Sequence, residues 1–323
     1  MDLTLELILG IGLGFLVGIY ASMTGTGGGS LYGPIFESII FFGNSNSVTM
    51  AIGTSLFVVF INSISTSVAY FRQKRIDYRT SLYLIIFSTP FAILGSYMTD
   101  FVAGLKDGQN IMKIIFYSFI LFIGWYMLLK KGGNTPAKMA QLGDSWWVFN
   151  HKVVDCDGVC FEYKFNILKV IPFAMIAGFL SGFLGIGGGM IMVPAFSIVC
   201  CMPLHVVVAT SGFMLLFNSA VSTTFKLILN RVDVIVGLIF AAGSIFGAQL
   251  GAKLAKGTQS KILKNIISVA LVMLSIYKLY NIIHIVSYSD LIMDLIIGST
   301  SLVISIILVI TLLVKYSKMK DHR

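Results

Sequence analysis

Charge is what this sequence has least of: Asp, Glu, Lys and Arg make up 11% of its 323 residues, against roughly a quarter in ordinary soluble domains. So few charges cannot keep a chain of this length in water, and the 57% of hydrophobic residues place it in a membrane. Proline is scarce too, with 6 residues, so long helices can run uninterrupted. The 4 cysteines are too few and too scattered for a disulfide framework. Cys200 and Cys201 lie in an apolar run and read as small buried hydrophobes. Cys156 and Cys160, with His151 nearby, lack the spacing of a zinc knuckle, so no metal is expected. Also missing are HExxH, GxSxG and the Walker A glycine loop. The chain therefore reads as a protein without catalytic residues or cofactor, and not as an enzyme.

What is present is a series of apolar runs. A hydrocarbon core of about 30 Å takes about 20 apolar residues per helix. Candidate spans lie near 5–23, 48–70, 81–103, 114–129, 205–229, 233–252, 265–283 and 291–314, whereas 24–42 and 167–202 fit a single plain helix badly. The first span opens with Asp2 and Glu6 and has no basic flank, unlike a cleaved secretory signal, so it is kept as mature structure. The net charge of +9 sits in short loops and in the tail KYSKMKDHR. Cytoplasmic loops carry that distribution; the expected partner is the lipid bilayer, not nucleic acid.

The chain repeats itself. GTGGGSLYGP at 25–34 returns as GIGGGMIMVP at 185–194, and TSLFVVFINSISTS at 54–67 aligns without gaps to TSGFMLLFNSAVST at 210–223. Arg75 and Asp77 match Arg231 and Asp233 at the same offset of 156, as Gly95 matches Gly251. Landmarks recurring in one order over about 80 residues point to duplication. The domains expected are a first transmembrane repeat at 1–130, a polar cytoplasmic insert at 131–165, a second repeat at 166–285, and an extra helix with a basic tail at 286–323. Within the insert, Asp157-Gly158 signals a β-hairpin.

Basic residues fix the expected orientation. Arg72, Lys74, Arg75 and Arg79, then Lys253, Lys256, Lys261 and Lys264, then Lys315, Lys318, Lys320 and Arg323 all belong inside. Tracing the chain under that constraint requires 5–42 to enter and leave on the outer side and 167–202 on the inner side. The fold expected is an all-α polytopic membrane protein with two inverted repeats and broken or re-entrant helices: about 8 full spans plus two half-helix segments, N-terminus outside and C-terminus inside the cell membrane.

The glycine clusters are the candidate site. Glycine adopts backbone angles other residues avoid, Pro34 and Pro194 lack the N–H that a continuing helix would use, and non-helical backbone at membrane depth survives only inside protein or beside a water-filled cavity. The alternative is close helix packing, which is the reading taken for Gly14, Gly18 and Gly178. For the clusters the site reading is taken: Gly25, Gly27, Gly28 and Gly29, with Gly185, Gly187, Gly188 and Gly189, would offer half-helix N–H groups to an anion. A side chain at Gly28 or Gly188 would then spoil binding before folding. On the following helix Ser55, Asn62 and Thr66 form one polar stripe beside Thr54, repeated by Ser211, Asn218 and Ser222 beside Thr210. Each Asn serves either as glue between helices or as the lining of a polar path. Glu37, Asp100, Asp233 and Asp290 sit near span ends, and Lys226 is expected to snorkel to the interface. No buried carboxylate pair marks a relay, so coupling to a proton or other ion stays open.

The doubled glycine motif, each copy followed by a TS-containing helix, then RID or RVD, then a Gly-rich helix, resembles the TauE/SafE family of sulfite and organosulfur-anion permeases over roughly 8–105 and 170–285. That resemblance implies a secondary transporter for a small sulfur-containing anion. A passive anion channel, or a membrane scaffold docking partners through the 131–165 insert, are the alternatives.

Overall fold

The computed structural model describes residues 3–41, 47–105, 108–129, 148–198, 200 and 202–257, apart from 157 and 159, together with scattered positions between 269 and 279. The expected spans at 265–283 and 291–314 therefore lie largely or wholly outside the described residues, as does most of 130–147.

In chain order the helices are α1 (Leu3–Thr24), α2 (Gly29–Ile35), α3 (Ser47–Arg72), α4 (Tyr78–Ala103) and α5 (Gly108–Leu129). The strands β1 (Val148–Val154) and β2 (Cys160–Asn166) follow, and then α6 (Ile171–Leu184), α7 (Gly189–Ile198), α8 (Leu204–Ile228) and α9 (Val234–Gly257). Among the described residues, six helical segments are long and apolar enough to cross a membrane: Leu7–Thr24, Val48–Arg72, Tyr78–Ala103, Ile167–Leu184, Leu204–Ile228 and Val234–Lys256. The chain is a mostly helical, multi-pass membrane protein.

Both regions that suit no single helix are broken. Gly25, Gly27 and Gly28 take φ of 69°, 80° and 80°, and Gly185, Gly187 and Gly188 take 71°, 82° and 80°. This left-handed region costs an L-residue roughly 1–2 kcal/mol, so three such residues in each break require glycine. After the first break the chain folds back. The Tyr32 hydroxyl donates to Gly14 O at 3.2 Å, whereas a straight helix would hold residues 14 and 32 about 27 Å apart at 1.5 Å per residue. After the second break Met192, Val193 and Phe196 return against Ala174 and Ala177 of α6. A π-helical turn, Phe36–Ile40, continues α2.

Small residues set the packing of the long helices. A Cβ on Gly14 or Gly18 would strike the backbone of Phe240 or Ser244, and one on Gly243, Gly247 or Gly251 would strike that of Ile11, Phe15 or Ile19, so α1 and α9 run side by side with backbones in contact. Gly178 and Gly182 press on Ser88 and Ala92 in the same way, joining α6 to α4. In lipid, where no hydrophobic effect drives helices together, such close approach supplies the dispersion contact.

The expected hairpin forms, pairing Val148↔Asn166 through Val154↔Cys160, so its strands are joined by more than the two residues of the tightest turns. Its residues are spent on docking. Asp155 pairs with Arg75 at 2.9 Å, and Cys156 N donates to Gln73 O. From β2, the Tyr163 hydroxyl donates to Asp77 Oδ2 at 2.6 Å. Burial, then the negative charge of Asp77, raise the Tyr163 phenol far above its ordinary value, which keeps it a donor. Cys156 and Cys160 are exposed free thiols, with Cys156 Sγ near Lys256 Nζ at 3.8 Å.

Candidate functional site

The two breaks meet. A Cβ on Gly29 would strike Gly185 O, and one on Gly189 would strike Gly25 O, so each short helix begins against the other break. Ser55 Oγ donates to Gly185 O at 3.3 Å and Ser211 Oγ to Gly25 O at 3.1 Å. Thr54 Oγ1 accepts from Asp233 N at 3.0 Å, and Thr210 Oγ1 accepts from Asp77 N at 3.2 Å. Every one of these contacts has its counterpart with the halves exchanged. The equivalent helices α3 and α8 run antiparallel: Gly212, near the start of α8, approaches Thr66 near the end of α3, while Gly53 near the start of α3 abuts Arg231 just past α8.

The residues expected to form a site thus come together, although not all of them are available to a ligand. Ser55, Ser211, Thr54 and Thr210 are all engaged in contacts between the halves. These bonds also hold Asp77, the N-cap of α4, whose own carboxylate accepts from Thr80 N. Thr210→Val would remove the hydroxyl that accepts from the buried Asp77 N–H, at about 1–3 kcal/mol. A lower midpoint in chemical unfolding of the detergent-purified protein is expected, with a similar effect for Thr54→Val. An unchanged midpoint in both variants would show that these bonds do not hold the turns.

The glycine Cα hydrogens face protein and not open space. A Cβ on Gly27 would lie 3.0 Å from Val59 and Leu215, one on Gly28 3.0 Å from Ala21 and Tyr32, and one on Gly188 2.6 Å from Ala177 O. The expectation that a side chain at Gly28 or Gly188 spoils binding before folding is therefore corrected: it meets packed protein first. Gly28 caps α2 without a side-chain hydrogen bond; Leu31 N and Tyr32 N donate to Gly28 O, as Ile191 N and Met192 N donate to Gly188 O. Pro34 and Pro194 lie inside α2 and α7.

One helical turn past Val59 and Leu215, which floor the breaks, stand the two asparagines. Both are 1% exposed, and they differ in partners. Asn218 Oδ1 accepts from Ser88 Oγ at 2.9 Å and from Thr89 Oγ1 at 3.3 Å. Asn62 Oδ1 has no partner among the described residues, nor have Thr66 Oγ1 and Ser222 Oγ. A buried polar atom without a partner costs about 1–3 kcal/mol, and these three lie along the stripe read from the sequence. Ser88 and Thr89 escaped that reading because they lie on α4, away from the helix that carries the stripe.

Lys226 does not snorkel. It is fully buried, with Nζ 2.6 Å from Asp100 Oδ2 and 3.0 Å from Ser96 O, and Arg231 Nε lies 3.2 Å from Asp100 Oδ1. Only tertiary contact between α4 and α8 brings this triad together, so no local sequence signal marks it.

Residues 10–278 match the sequence model of the family described as Sulfite exporter TauE/SafE. The chain is similar to the Probable membrane transporter protein YunE of Bacillus subtilis, 29% identical over 274 residues that cover 83% of this chain and 95% of the relative. A probable membrane transporter protein of Methanocaldococcus jannaschii is 30% identical over 279 residues, covering 83% and 93%. Sulfite exporter TauE/SafE family protein 6 of Arabidopsis thaliana is 30% identical over 100 residues, 31% of this chain and 23% of that protein. No solved structure matches. With both glycine breaks and the antiparallel α3 and α8 inside the matched region, the chain belongs to the TauE/SafE sulfite exporter family of multi-pass membrane transporters.

Proposed function

We propose that this protein is a secondary transporter that moves a small sulfur-containing anion, such as sulfite or a sulfonate, across the cell membrane by alternating access. Its two halves act as inverted repeats, with the N-terminus outside and the C-terminus inside. The observation that carries the reading is the junction of the two breaks. Two half-helices begin against one another at the crossing of two antiparallel equivalent helices, and next to them runs a stripe of buried polar atoms, three of which have no partner among the described residues. Half-helix N-termini carry about half a positive charge and free N–H donors, and broken helices meeting between inverted repeats are a recurrent transporter site. The anion would be held by the Gly27–Gly29 and Gly187–Gly189 backbone, with Asn62 lining its path. Contacts paired symmetrically between the two halves suit rocking of one half on the other.

Flux into proteoliposomes with sulfite, thiosulfate, sulfonates and sulfate, with and without a pH gradient, tests the function. Saturable flux with counter-transport is expected, whereas non-saturating flux would indicate a pore. Asn62→Ala separates path from glue, since its Oδ1 has no partner among the described residues. Flux should fall at least tenfold with the unfolding midpoint unchanged. Asn218→Ala should instead lower stability, because Ser88 and Thr89 lose their acceptor. Unchanged flux in Asn62→Ala would remove that residue from the path.

A further inference from the structure

The α3–α4 turn buries a guanidinium that the transport path does not use. Arg75 is 5% exposed. Its Nη2 donates to Asp155 Oδ2 of the hairpin loop at 2.9 Å, while Nε and Nη1 have no partner among the described residues. Buried guanidinium N–H groups that find no acceptor are costly, and the group they suit is an oxyanion. A second element faces the same turn. Helix α8 starts after Pro203 with no side-chain cap, and its Leu204 and Val208 pack in one cluster with Ile76, the neighbour of Arg75. The start of α8, where Val206 N and Val207 N donate to Pro203 O, adds the positive end of a 25-residue helix. His205, in that turn, is close enough to feel both the Arg75 and Asp155 charges.

The nearby carboxylates leave this site to an incoming anion. Asp77 already accepts from Thr80 N, Thr80 Oγ1 and the Tyr163 hydroxyl. Asp155 occupies one of the three guanidinium nitrogens. Around them Arg72, Lys74 and Arg79 are exposed on the same segment, a field that concentrates small anions at the turn.

We propose that Arg75, beside the positive end of α8, forms a second binding site, for a small oxyanion, in which Asp155 holds the guanidinium when the anion is absent. The anion competes with Asp155, so the hairpin loop loosens as the site fills. The site uses none of the glycines of the helix breaks, and it rests on the transport reading only for the expectation that sulfite and sulfonates are its ligands.

The full-length protein in detergent, titrated calorimetrically with sodium sulfite and with methanesulfonate against a chloride control, tests it. Wild type should bind both oxyanions. Arg75→Lys keeps the charge but loses the planar array of donors, and should bind at least tenfold more weakly. Asp155→Asn removes the competitor, and should bind at least threefold more tightly, with oxyanion restoring the stability lost on substitution. Equal affinity in wild type, Arg75→Lys and Asp155→Asn, or no oxyanion binding by wild type, would overturn the site and leave Arg75–Asp155 as a structural clasp. If Arg75→Lys fails to fold, Asp155→Asn alone decides the matter. The transport reading is judged separately: loss of flux in Asn62→Ala with Arg75-dependent binding intact supports both proposals. No anion flux in wild type, with that binding intact, removes the transport reading and spares the site.

Discussion

Gly29→Ala and Gly189→Ala are expected to abolish the folded protein, although each adds one methyl group. The new Cβ at residue 29 would lie inside the contact radius of Gly185 O and close to Ile186 Cα and C, and at residue 189 it would meet Gly25 O and Thr26 Cα. All of these are backbone atoms, so no rotamer change can make room, and either the short helix or the opposite break must move. Overpacking in a core that can adjust costs typically 1–3 kcal/mol; here the obstacle is the junction on which both halves rest, and the cost should exceed that range. The control is Gly12→Ala, also in glycine-rich α1, where an added Cβ has nothing within 4 Å. It should be neutral, or stabilising by about 0.5–1 kcal/mol, because alanine is the better helix former. Monodisperse yield after size exclusion and the melting temperature read the difference. Normal yield of both Gly29→Ala and Gly189→Ala would show that the breaks do not abut.

The second large effect is asymmetric within one ion pair. Asp100→Ala leaves Lys226, which has no exposure, with a buried ammonium facing, among the described residues, the Ser96 carbonyl alone, with Arg231 nearby. Removing one partner of a buried pair costs about 3–5 kcal/mol. Lys226→Met is expected to cost much less, because Asp100, at 19% side-chain exposure, keeps Arg231 at 3.2 Å and reaches solvent. The double variant Asp100→Ala with Lys226→Met should recover most of the loss, since Arg231 is 34% exposed in its side chain and can be hydrated once unpaired. Unfolding midpoints of the three variants in one detergent decide the matter. Equal losses from the two single substitutions would mean that Lys226 reaches water after all.

The sequence carried more of the scaffold than of the site. Apolar run length exposed the crossing helices, since a bilayer demands about 20 such residues whatever they pack against. The glycine clusters exposed the breaks, because a run of positive φ angles has almost no other chemical solution. The 100° periodicity of a helix was enough to align Ser55, Asn62 and Thr66 on one face. That stripe did not reveal which of its members are used. Thr54, Ser55, Thr210 and Ser211 look like ligand groups in one dimension but bind the opposite half in three, and Asn62 differs from Asn218 only because Ser88 and Thr89 reach the latter.

Lys226 shows the same limit from the charged side. Its place near the end of a span matched a snorkelling lysine, and the alternative depended on Asp100, 126 residues away. By itself, then, the sequence determined that the chain is a helical membrane protein with two broken helices, and it showed the family's motifs, because segment length, backbone-angle preference and helical period are local properties. Which hydroxyls are spent and which are left over, which charges pair, and that the two glycine breaks abut were decided only by the tertiary structure. Hydrogen-bond satisfaction and charge compensation depend on which atoms arrive from distant parts of the chain, and no local pattern records those arrivals.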